Sequence, residues 1–303
     1  MRVIAWLLIY LAAVFVGGAL AAPWLYALTQ WGAFHWPGLA GLAAKPFHRF
    51  VDRAVLGLAV ICLWPLLRQF RMLGLRELGL CDHRAGVARR AAKQLALGFF
   101  IGFVSLAAVA LLAILGGNRA INVDHSQPQT LHYLLSATAA AILVAFLEEL
   151  LFRGALYGIM RGPLGRLWAL ILSSAIYAAV HFVQKAETPG PVHWQSGLLL
   201  LPPMFRNLAD TASLIPAFMT LTVAGAVLAL MYERTGALYA SIGLHGGWIF
   251  WLKSYRFTTR QAAVKLQTFW GTDNLVDGWL ALIILSAVLL AALAVTPRVK
   301  PQA

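Results

Sequence analysis

The chain is divided into apolar runs, each near the ~20 residues an α-helix needs to cross a bilayer. They fall at 3–28, 51–70, 94–117, 132–160, 165–184, 214–232, 236–253 and 278–296. Within hydrocarbon every backbone N–H and C=O must be bonded inside the protein, so such runs become helices rather than loops. Composition agrees. Of 303 residues, 61% are hydrophobic and 12% charged, and the mean hydropathy of +0.76 leaves too little polar surface for a water-soluble globule. The expectation is an all-α polytopic membrane bundle of about eight transmembrane helices. No internal repeat or appended soluble segment is evident, so 1–303 reads as a single transmembrane domain.

The first run includes Ala19-Leu20-Ala21, a small-residue sequence of the kind that ends a cleavable signal peptide. Apolar residues continue through Trp24 to Leu28, which favours an uncleaved helix. Orientation follows the Lys and Arg residues of the loops. The loop carrying Arg68, Arg71, Arg76, Arg84, Arg89, Arg90 and Lys93 is the most basic, and puts the N-terminus on the cytoplasmic side. The net charge of +13 is spread between apolar segments rather than gathered in one basic domain. It fits contact with anionic lipid headgroups of the bilayer and argues against nucleic acid as a partner. Cys62 and Cys81 form neither a metal-type pair nor a disulfide framework. Two connections, 185–213 with Pro189, Pro191, Pro202 and Pro203, and 254–277 with Arg256, Arg260 and Lys265, are long enough to serve as lids or interfacial segments.

Within this apolar background Glu148, Glu149 and Arg153 lie in one predicted span. Each ionisable group at mid-bilayer costs roughly 3 kcal/mol on insertion scales, so three together mark a site. Glu149 and Arg153 are four apart and share a helix face, whereas Glu148 points about 100° away. Glu149 can therefore be neutralised within its own helix, and Glu148 is the acid left for chemistry. His181, near the end of the next span, and His245, in a glycine-rich later one, reach comparable depth. A carboxylate and two imidazoles can hold a metal, with Glu148, His181 and His245 as ligands, or can position and activate a water directly. Gly243, Gly246 and Gly247 permit close backbone approach around His245, and Gly154, Gly158 and Gly162 form a small-residue face after Arg153. Tyr177, one turn before His181, can hydrogen-bond on the same face.

Glu148-Glu149-x-x-x-Arg153, then Tyr177-x-x-x-His181, then His245 among glycines resembles the signature of the CPBP intramembrane proteases. That family includes the CAAX prenyl endopeptidases and bacteriocin self-immunity proteins. The resemblance covers about 132–253, which it marks as the catalytic core. It implies an endopeptidase acting on a membrane-associated protein or peptide, located in a bacterial cell membrane. Glu148 and His181 would activate water, Glu149 and Arg153 would support the site, and His245 would stabilise the oxyanion or bind metal. The family is described both as zinc-dependent and as using a metal-free glutamate mechanism, so the resemblance leaves Zn2+ open. Two positions depart from the pattern. Tyr177 stands where Phe is usual, and Ile249 stands where the family commonly has Asn or Asp. Trp248 or Ser241 can supply a donor in its place, or the donor is lost and the chain is an inactive scaffold. A proton-coupled transporter is the rival from another class, because buried Glu, His and Arg also build relays. Repeated halves that would support it are absent from the sequence.

Overall fold

The computed structural model describes residues 2–81, 86–122, 124–183, 190–205, 211–262 and 266–295. Arg84, Pro189 and Lys265, named among the predicted loop residues, lie outside them. In chain order the main elements are α1 (Arg2–His35), α2 (His48–Gln69), α3 (Val87–Leu115), β1 (Arg119–Ile121), α4 (Gln127–Leu164) and α5 (Arg166–Val180). There follow α6 (Ser196–Met204), α7 (Thr211–Thr235), α8 (Tyr239–Thr258), β2 (Thr259–Gln261) and α9 (Trp279–Val295).

Every predicted apolar run is helical, which bears out the all-α membrane bundle. Among the described residues five helices are long and apolar enough to cross a membrane: α1, α2, α3, α4 and, in α7, Leu214–Thr235. α5, at 15 residues, and α9 are apolar but shorter. α8 has 20 residues and carries His245, Lys253 and Arg256, and is not among the five. Leu8, Ile61, Phe100, Leu135 and Leu290 all point outward, with more than half of each exposed, the arrangement a hydrocarbon solvent requires. Boundaries shift where the hydropathy pattern was blind to helix propensity. α3 begins at Val87, so Arg89, Arg90 and Lys93 belong to its first turns rather than to a loop. Long basic side chains favour helix and can carry their charge outward along it. α4 starts earlier than its apolar run because Ser126 and Gln129 form a reciprocal capping box.

By contacts the chain forms two compact units, Met1–Leu73 with His181–Asp210, and Gly74–Val180 with Thr211–Ala303. In the first, α1 packs on α2 and α6. Gly18 lies against the backbone of Val55, and a Cβ at Gly197 would fall 1.9 Å from the Ala19 carbonyl. Ala22, Phe50, Val51, Leu200 and Met204 fill the space between. The connection expected over 185–213 thus contains a helix, α6, with Pro202 and Pro203 inside it.

The second unit is organised around α8, which packs against α3, α4 and α7. The α3–α8 contact is a mutual glycine seam. A Cβ at Gly98 or Gly102 would meet the carbonyls of Ala240 and Leu244 at 2.3 and 2.1 Å, and one at Gly243 or Gly247 would meet those of Leu95 and Phe99 at 2.2 and 2.5 Å. Backbones this close gain dispersion contacts along the whole seam, which is how membrane helices associate when lipid supplies no hydrophobic drive. Two glycine expectations are corrected. Gly246 meets nothing nearer than 3.8 Å, and Gly162 nothing within 4 Å, so Gly162 contributes to no packing face. On the far side of α8, Leu106, Val109, Val227, Leu228 and Leu285 join α3, α7 and α9 into one core.

The connection expected over 254–277 is also structured. α8 runs on to Thr258, and Thr259–Gln261 then pairs antiparallel with Arg119–Ile121, matching Arg119 to Gln261. Arg119 is buried there, with its guanidinium 4.6 Å from the Tyr255 ring, bonded to Thr259 and paired with Asp273 at 2.5 Å. The sequence pattern has too few residues here to show a strand.

Gly102→Ile is expected to destabilise the protein by about 2–3 kcal/mol, because backbone faces backbone and neither can yield. Gly162→Ala should leave stability unchanged or slightly raised. Unfolding in mixed detergent micelles measures both.

Candidate active site

The site grows from the end of an α-helical stretch. α4 is regular through Glu149 and then continues as a π-helical segment, Leu150–Tyr157, before resuming as α-helix at Gly158. Wider i→i+5 winding of this kind is found mostly at functional sites. It carries Phe152, Arg153 and Tyr157 into the interior. Hydropathy cannot distinguish it from α-helix, since the residues are apolar under either winding.

Glu149 is completely buried, and one of its oxygens binds two partners. Arg153 Nη1 donates to Oε1 at 2.8 Å, and His245 Nδ1 lies at 2.8 Å from the same atom. Arg153 is itself buried, donates through Nη2 to the Gly225 carbonyl on α7, and places its guanidinium 4.5 Å over the Tyr177 ring. Four elements, α4, α5, α7 and α8, are thereby tied to one carboxylate. The carbonyl of Gly225 was not foreseeable from sequence, because a backbone acceptor carries no side-chain signature. Gly225 itself presses against Ser174 of α5, where a Cβ would come within 2.9 Å.

Glu148 is the accessible member of the pair, with 26% of its side chain exposed against 0% for Glu149. Its Oε2 lies 3.8 Å from His245 Nε2, beyond direct hydrogen-bond reach. The Tyr177 hydroxyl is 3.3 Å from the same nitrogen. Because a carboxylate accepts at Nδ1, that nitrogen carries a proton. The Tyr177 ring is held edge-on by Phe152, with centroids 5.1 Å apart at 89°.

Glu148, Glu149, Arg153, Tyr177 and His245 are thus gathered within the second unit. His181 follows the end of α5, is exposed, and belongs to the first unit. Neither of the donors considered in place of the residue at 249 is available. Ser241 Oγ donates to the Leu238 carbonyl, and Trp248 Nε1 donates to Ser105 Oγ, both at 2.9 Å. Ile249 is buried against Ala141 and Ala145 of α4. Among the described residues no group of three or more His, Cys, Asp or Glu side chains could hold a metal ion. In the second unit Glu148 Oε2 lies 3.8 Å from His245 Nε2, and Glu149 serves Arg153 and His245 through Oε1.

The arrangement is a partly accessible acid beside an oriented imidazole among membrane helices. Residues 130–251 match the family model described as type II CAAX prenyl endopeptidase Rce1-like, which bears out the CPBP resemblance over that segment. Comparison with curated proteins and with solved structures gave no significant match.

Arg153→Leu leaves the Glu149 carboxylate buried without its cation, and is expected to cost about 3–5 kcal/mol of stability. Adding Glu149→Gln should recover part of that loss, as read from unfolding of the double variant.

Proposed function

We propose that the chain is an intramembrane endopeptidase that hydrolyses a peptide bond of a membrane-associated protein or peptide, with Glu148 as the base that takes a proton from the attacking water. The observation that carries this reading is the division of labour between adjacent acids. Glu149 is sealed and spends Oε1 on Arg153 and His245, while Glu148 beside it is partly exposed and brings Oε2 to 3.8 Å from Nε2 of the same imidazole. The family matched at 130–251 supports protease chemistry over a transporter.

In this mechanism the water oxygen bonds to the carbonyl carbon as Glu148 accepts one proton, and the C=O pair moves onto oxygen. When the C–N bond breaks, Glu148 returns that proton to the amine. Glu149 and Arg153 hold His245 in one orientation, as a buried acid does for any catalytic imidazole. We read the chemistry as metal-free, since among the described residues no group of three or more His, Cys, Asp or Glu side chains could hold a metal ion. We place the protein in a bacterial cell membrane with a cytoplasmic N-terminus, from the basic loop between α2 and α3.

Glu148→Gln is expected to abolish cleavage while the protein remains inserted and folded. Comparing neo-termini in membrane and secreted proteomes that contain either form identifies the substrate. If both forms yield the same termini, the reading fails. Cleavage by the purified protein should persist in 1,10-phenanthroline, and stoichiometric zinc together with chelator inhibition would replace the metal-free mechanism with a metal-dependent one.

A further inference from the structure

Away from the catalytic residues, the second unit holds a cavity of about 340 Å³ where α4 and α7 end, α5 begins and α9 finishes. Its lining divides by chemistry. Arg166, Glu233 and Arg234 form one side, and Leu167, Leu170, Leu230 and Leu293 form the other. Leu167 is 67% exposed and Leu293 50%, so the apolar side opens outward to whatever surrounds the helices. For a bundle in a bilayer those surroundings are hydrocarbon, and arginines at the helix ends stand at headgroup depth. Trp168, exposed beside them, is a residue type that settles at that depth.

The acid in this cavity does not cancel its positive charge. Glu233 is 19% exposed and both its oxygens are in use: the Tyr157 hydroxyl donates to Oε2 at 2.6 Å, and Arg166 Nε lies 2.9 Å from Oε1. Held through Nε, Arg166 keeps its two terminal nitrogens outside that pair, and its side chain is 61% exposed. Arg234 is half-buried, and among the described residues its guanidinium makes no hydrogen bond or ion pair. Arg161 adds a third cation one turn beyond Tyr157, 5.9 Å from the Tyr232 ring. A guanidinium oriented by a carboxylate, a second one without a partner, and an apolar cleft alongside match a phosphate that carries an acyl chain.

We propose that this cavity is a discrete site for an anionic phospholipid, with the phosphate on Arg166 and Arg234 and an acyl chain along Leu167, Leu170, Leu230 and Leu293. The leaflet follows from what else is fastened at this end of the unit. Leu238 N donates to the Gly79 carbonyl at 2.9 Å and the Tyr239 hydroxyl to that of Leu80 at 2.6 Å, so the basic connection between α2 and α3 is tied down here. With that connection cytoplasmic, as proposed above, the cavity opens to the leaflet in which anionic lipids concentrate. Diffuse attraction of basic loops to such lipids needs no cavity and has no fixed stoichiometry. A single phosphate position beside a single cleft fills once.

The test titrates the full chain in neutral detergent with dioleoyl phosphatidylglycerol or dioleoyl phosphatidylcholine and counts retained lipid by native mass spectrometry. One phosphatidylglycerol is expected to bind saturably, about 10-fold more tightly than phosphatidylcholine. Arg234→Glu reverses a charge without breaking an interaction of the folded protein, and Leu170→Trp fills the cleft without changing charge. Each should weaken phosphatidylglycerol by about 10-fold while the Tm of the lipid-free variant stays near that of wild type. Arg166→Lys, which keeps a cation beside Glu233 and loses the fork, should act in the same direction and replaces either variant that fails to fold. Arg49→Glu, the same charge change at the exposed start of α2, should bind as wild type does. Equal retention of the two lipids, binding without saturation, or undiminished affinity in either cavity variant overturns the inference. Displacement of the lipid by inorganic phosphate at equal concentration assigns the site to a free anion instead, and binding of a poly-glutamate peptide in place of the lipid assigns it to an acidic protein segment; either result overturns the inference.

Discussion

A single buried carboxylate oxygen holds this site together. Glu149 Oε1 accepts from Arg153 within its own helix and from His245 on the adjacent α8, while Arg153 reaches a third element at Gly225 and covers the ring of a fourth at Tyr177. In a low-dielectric interior an unpaired charge is costly enough that each of these groups confines the others. The consequence is directional. Once Nδ1 is bound to a carboxylate, the ring is fixed in orientation and Nε2 faces the rest of the site. Glu148 and Tyr177 are what face it.

This polar centre is affordable because the surrounding helices approach unusually closely. Gly98 and Gly102 of α3 sit against Gly243 and Gly247 of α8, and the backbone of each helix fills the space that side chains would otherwise need. His245 lies between the two glycines on α8, so the seam that fixes the helix also fixes the depth of the imidazole. On the other side, Gly225 lets α7 meet Ser174 of α5 and brings its carbonyl to Arg153. Packing and chemistry are therefore coupled through backbone approach rather than through a large apolar core.

The same coupling explains which family features this chain can change. Ile249 is one helical turn beyond His245, yet it packs into the alanine face of α4 made by Ala141 and Ala145. An apolar residue there is well accommodated. Tyr177 on α5 keeps an aromatic ring against Arg153 and Phe152 and brings its hydroxyl to 3.3 Å from His245 Nε2. Trp248 and Ser241 are equally near in sequence but are consumed by Ser105 and by the backbone of α8 itself.

From the chain alone, the membrane bundle and the membership of Glu148, Glu149, Arg153 and His245 in one site were legible. Hydrocarbon forces long apolar runs into helices, and intramembrane charge is too expensive to occur without a partner or a task. The pairing of Glu149 with Arg153 followed from helical spacing, because i and i+4 share a face whatever the rest of the protein does. Beyond local spacing the sequence was silent. The π-helical winding after Glu149, the early start of α3 at Arg89 and Arg90, the helix α6 inside a proline-rich connection and the short strand pair at Arg119 were not readable, since hydropathy runs report burial and not the hydrogen-bond pattern. Which groups face the two nitrogens of His245 depended on side chains from α4, α5 and α8 converging across 68 to 96 residues. Such convergence is set by how helices pack, and packing is decided by backbone approach at glycines whose partners no linear pattern names.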